Sequence, residues 1–204
     1  MKLGMTVSFF NIGSPAFSTT IEQSRRKHHK RYCNLHIHQQ GYKRVSCSAS
    51  NSGSSVVTSL ILSGYGLSNS TVLAYICHLA TLQALDLSRN SISDLQDRFF
   101  TPDCSLKAIL MALNLSSNQL AGEVPDEFLK LTKLHTFLLS GNCLSGTIPR
   151  SLSNVTALSR FAANQNNFTG FIPTGITKHL NNLDLSYNRL SDTLSGLASM
   201  GLLN

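Results

Sequence analysis

The chain has 204 residues, 42% hydrophobic and 13% charged, with a net charge of +7. That balance can bury a core and excludes a chain disordered throughout. Eight of the Lys and Arg residues and a single acid, Glu22, lie in residues 1–50, while the rest of the chain carries equal numbers of each sign. The basicity therefore belongs to a leader and argues against a nucleic-acid-binding body.

The start, MKLGMTVSFFNIGSPAFS, holds a short apolar segment diluted by Gly4, Thr6 and Ser8, with Ala16-Phe17-Ser18 as a small-residue cleavage site. It reads as a weak secretion signal or as an unstructured N-terminus. Nowhere is there an apolar run of the roughly 18–20 residues that a membrane span needs. Arg25 to Arg31, RRKHHKR, could act as an import signal or a nucleic-acid patch. Only Tyr32 interleaves an aromatic, so the run is expected to be a solvated tail. Residues 1–43 are thus read as an unstructured basic leader. Cys33, His36, His38 and Cys47 are soft-ligand types, but their spacing matches no common zinc module. No metal or cofactor is expected.

From residue 44 the chain turns repetitive. The template L-x-x-L-x-L-x-x-N-x-L fits five segments: Leu82 to Ile92, Leu110 to Leu120, Leu134 to Leu144, Leu158 to Phe168 and Leu180 to Leu190. Their asparagines are Asn90, Asn118, Asn142, Asn166 and Asn188, and Val57, Leu60, Leu62 and Leu67 extend the register upstream with Tyr65 at the asparagine position. This is the leucine-rich repeat signature. Each L-x-L predicts a short strand with its leucines inward, strands of successive repeats pairing in parallel over one continuous core. Each asparagine is expected to bond backbone groups that the following turn would leave buried and unpaired. These positions build a scaffold, and residues 44–204 are predicted to form an α/β solenoid of five to six repeats.

Three repeats continue into G-x-[IV]-P, at Gly122 to Pro125, Gly146 to Pro149 and Gly170 to Pro173. With this tail the chain resembles the plant-type leucine-rich repeat of extracellular receptor-like kinases, receptor-like proteins and polygalacturonase inhibitors. The resemblance covers about residues 44–204. It implies a second short strand per repeat, a right-handed superhelix, and an N-terminal cap held by a cysteine pair, for which Cys33 and Cys47 are the candidates. The chain departs from the pattern by having no Trp in the cap, and by carrying Asp192 and Ser195 where the fifth tail should have Gly and Pro. It is expected to be the front part of a longer receptor, without that receptor's kinase domain.

The remaining motifs are weighed against plainer readings. Gly64-Tyr65-Gly66 lacks the third glycine of a dinucleotide loop and falls in a repeat turn, which argues against nucleotide binding. Asn69, Asn114, Asn154 and Asn167 head N-x-[ST] sequons, consistent with a secreted glycoprotein. Cys77 and Cys104 occupy similar places ahead of their repeat asparagines. Adjacent solenoid turns would bring them close, with two buried thiols favoured over a disulfide. Cys143 is expected to be free.

Recognition should fall on the outward strand positions, which on a horseshoe line the concave face. The candidates are Asp86, Arg89, Asn114, His135, Arg160, Gln165, Asp184 and Tyr187. The expected partners are a protein or peptide ligand and a co-receptor, at the cell surface or secreted. A soluble inhibitor of a cell-wall hydrolase is a second reading, and an intracellular interaction protein using the basic leader a third. No nucleophile–base pair or carboxylate dyad suggests an enzyme.

Overall fold

A computed structural model describes residues 45–49, 55–68, 76–94 and 104–191. The proposed leader and the possible cleavage site near Ser18 lie outside the described residues, as do Cys33 and Asn69.

Seven strands form one sheet in the order β1 (Val45–Ala49), β2 (Ser55–Ile61), β3 (Ala84–Asp86), β4 (Ala112–Asn114), β6 (Thr136–Leu138), β8 (Arg160–Ala162) and β10 (Asn182–Asp184). Only β1 runs antiparallel to its neighbour. The other pairs are parallel, and their register places Leu60, Leu85, Leu113, Phe137, Phe161 and Leu183 in one line. That line is the central layer of the core predicted from the L-x-L pattern. Leu85, Leu113, Phe137 and Phe161 are all at most 2% exposed, a burial that contributes about 1.5–3 kcal/mol per side chain. Phe137 touches both Phe128 and Phe161, with ring centroids 4.8 and 5.9 Å away and the planes tilted. Burial weakens in the last described repeat, where Leu180, Leu183, Leu185 and Leu190 are only partly covered. Strand β10 is the outer strand of the described sheet, so its leucines are stacked on one side.

The second short strand implied by the G-x-[IV]-P resemblance is present. Strands β5 (Ala121–Gly122) and β7 (Cys143–Leu144) pair in parallel, as do β9 (Thr169–Gly170) and β11 (Arg189–Leu190). A bridge between Thr147 and Thr169 links these pairs. Pro125 and Pro149 then end the extended stretch and precede 3-10 helices at Asp126–Lys130 and Arg150–Asn154. Proline suits that place, since its φ is preset and its missing N–H costs no ladder bond.

The asparagines do more than bridge their own turns. Asn118 donates from Nδ2 to the carbonyl of Leu115 at 2.9 Å and to that of Leu87, one repeat earlier, at 3.0 Å. Its Oδ1 accepts the Ile92 N–H, also one repeat earlier, at 3.1 Å. Asn90, Asn142, Asn166 and Asn188 repeat this arrangement. Each amide thus ties two repeats together, and at Asn90, Asn118 and Asn166 it does so buried from water.

One expectation is corrected. Cys77 and Cys104 are not a pair of buried thiols: they form a disulfide with Cα atoms 4.6 Å apart. Cys77 lies second in the turn Ile76–Leu79, Cys104 precedes the 3-10 helix of the next repeat (Ser105–Ala108), and the Ser105 N–H donates to the Cys77 carbonyl. Stacking of the two turns brings the sulfurs within bonding range. Cys47 is also disulfide-bonded, and Cys143 is free and exposed.

Candidate recognition face

The outward side of the main sheet is built of rows that cross the strands. One row runs Ser59, Ala84, Ala112, Thr136, Arg160 and Asn182, and a second runs Ile61, Asp86, Asn114, Leu138, Ala162 and Asp184. Neighbours along a row stand about 4.8 Å apart. Alternation along each strand puts these side chains opposite the buried Leu85, Leu113, Phe137 and Phe161.

The sequence candidates divide into groups. Asp86, Asn114 and Asp184 share the second row, and each has a bracing role. Their Oδ1 atoms accept the N–H two residues on, from Ser88 at 2.9 Å, Ser116 at 3.1 Å and Ser186 at 3.1 Å. Such turns spend part of the side chain's bonding capacity on the backbone. Arg89, Gln165 and Tyr187 lie beyond the strand ends, next to the clamp asparagines, all with left-handed backbones at φ 54, 56 and 54°. Ser117 and Gly141 hold the same place in their repeats at φ 56 and 67°. All three candidates are exposed, Tyr187 to 79%, and they form a rim beside the rows.

His135 and Arg160 are exposed on adjacent repeats. The Nδ1–H of His135 donates to the Lys133 carbonyl at 2.7 Å, and the His135 carbonyl accepts the Arg160 N–H at 3.0 Å. Arg160 stands in register between Thr136 and Asn182. Among the described residues no carboxylate pairs with its guanidinium, and the exposed side chain leaves its donors available to a ligand.

Two apolar contributors escaped the sequence reading. Ile61 in the second row is 36% exposed, and Met111, just ahead of β4, is 40% exposed. Ile61 was legible in principle, since it alternates with the core residues Leu60 and Leu62. The small first-row residues Ala84 and Ala112 were also missed; they leave room for a backbone to approach the sheet.

The Leucine Rich Repeat family profile matches residues 110–131, 133–155 and 179–200. The BIR2 ectodomain of Arabidopsis thaliana superposes with a TM-score of 0.59 at 31% identity, covering 79% of either chain. The chain belongs to the plant leucine-rich repeat ectodomain family. The ectodomain of the Arabidopsis receptor kinase HAESA, solved with a peptide hormone ligand, is 33% identical at a TM-score of 0.65 and covers 77% of this chain and 26% of its own. Receptor-like protein 9DC1 of Solanum pimpinellifolium is 38% identical over 91 residues, 45% of this chain. This leucine-rich repeat chain spans about a tenth of the length of that curated relative, 10%. Among its described residues no helix is long and apolar enough to cross a membrane, and no cluster of three metal-ligand side chains occurs.

Proposed function

We propose that this ectodomain is a non-catalytic recognition module that seats an extended peptide or protein segment across its strand rows, outside the cell and together with a co-receptor. The observation that carries the reading is the unpaired Arg160 guanidinium between Thr136 and Asn182 in a row of small and polar side chains. A guanidinium on a sheet face is a bidentate anchor for a carboxylate. Ala84 and Ala112 on one side allow close approach of a ligand backbone, and Ile61 and Met111 supply apolar contact. The segment is therefore expected to carry an acidic group over Arg160 and an apolar group toward the N-terminal repeats.

The test is selection of a displayed library of random short peptides on the immobilised protein, repeated with Arg160→Glu and with Arg150→Glu on the outer 3-10 helix. Acid-containing peptides should be enriched on the unaltered protein and on Arg150→Glu, and lost on Arg160→Glu. Equal enrichment on all three proteins overturns the proposal.

A further inference from the structure

Three sequons fall among the described residues, and their surroundings differ. Asn114 lies in β4 between the buried Leu113 and Leu115 and is itself half-buried. Its Oδ1 accepts the Ser116 N–H at 3.1 Å, and Asp86 and Leu138 flank it in register. Asn154 ends the 3-10 helix Arg150–Asn154, where the chain turns back toward β8. Asn167 follows the clamp Asn166 where the chain leaves β8 for β9. Both are exposed, and neither side chain is held by another described group.

We propose that Asn154 and Asn167 carry N-linked glycans in the folded protein and that Asn114 stays bare. The inference rests on the extracellular reading above, since the modification belongs to the secretory route. A glycan is joined through Nδ2 and brings a bulky, hydrated sugar that needs open solvent. At Asn154 and Asn167 the amide already projects into it. At Asn114 the first sugar would lie over Asp86 and Leu138, each about 4.8 Å away across the sheet. It would also cover the rows that the proposed ligand needs.

The placement has a consequence for the partner. Asn154 precedes and Asn167 follows strand β8, the strand that bears Arg160. Neither residue lies in a row of the main sheet, so sugars there leave the rows open. The rows stay free for the extended segment proposed above.

The experiment is glycopeptide mass mapping of the full chain secreted from plant cells behind a heterologous secretion signal, so that entry does not depend on residues 1–43. Glycan is expected at Asn154 and Asn167, with unmodified peptide at Asn114. Glycan at Asn114, or an unmodified Asn154 or Asn167, overturns the proposal. The double variant Asn154→Gln with Asn167→Gln should lose two glycans from the intact mass; an unchanged mass equally overturns it. Fractionating cells that express the chain without the added signal separately reads its natural destination. A chain retained inside the cell would defeat the extracellular reading while leaving the occupancy map intact.

Discussion

The side chain of Asn118 crosses a repeat boundary to donate to the carbonyl of Leu87 at 3.0 Å. The same amide serves Leu115 and accepts from Ile92, and Asn118 is 9% exposed. Asn118→Leu orphans the Ile92 N–H where water cannot replace the amide, and takes one of two donors from each of the Leu87 and Leu115 carbonyls, which keep Asn90 and Asn142. An orphaned buried group costs about 1–3 kcal/mol, so a loss of about 2 kcal/mol is expected in urea unfolding. A loss below about 1 kcal/mol would show that the turn finds other partners.

Phe137 sits between Phe128 and Phe161 and is fully buried. Phe137→Ala should cost about 3–5 kcal/mol, because the rigid parallel stack cannot collapse into the vacated space. The measurement is again the unfolding midpoint, with the denaturant slope checked for constancy. A midpoint within error of the unaltered protein would contradict the central place given to this ring.

The Cys77–Cys104 bond closes a sequence separation of 27 residues. Loop-closure entropy makes its removal worth about 3.5 kcal/mol, to be read by comparing Cys77→Ala with Cys104→Ala and with the double variant. The two single changes should cost about as much as the double. A thiol reagent added to the native, unreduced protein should label Cys143 and leave Cys77 and Cys104 untouched. Labelling of either before reduction would refute the disulfide.

Gly141 has φ +67°, and an added Cβ would meet nothing nearer than 3.6 Å. The cost of Gly141→Ala is therefore conformational, about 1 kcal/mol. Ser117 already bears that strain at the matching place, so Ser117→Gly should change stability in the opposite direction. Two changes of the same sign would show that neighbours, and not backbone strain, govern these turns.

The face candidates show how far sequence pattern carries. Arg160 and Asp184 were placed outward by alternation with Phe161 and Leu183, and the strand register agrees. The rule depends only on the two-residue strand period. It fails for Arg89, Gln165 and Tyr187, because the strand has ended before them and a left-handed turn redirects the chain. The bracing bonds of Asp86 and Asn114 also escaped it. An acid or amide beside a core leucine looks the same whether it faces a ligand or holds its own backbone.

What the sequence determined by itself was the repeat, its core and its clamps. Leu85, Leu113, Asn90 and Asn118 declare their roles because those roles recur at the same local spacing in every turn. What only the tertiary structure decided lies between the turns: the reach of Asn118 to Leu87 and the bond of Cys77 to Cys104. Successive repeats differ in length, from 22 to 28 residues between marker positions. Contacts between turns therefore depend on how each loop folds away, which no single repeat encodes. The core tolerates that variation because hydrophobic burial has no direction, whereas a hydrogen bond or a disulfide forms only when its own two partners meet.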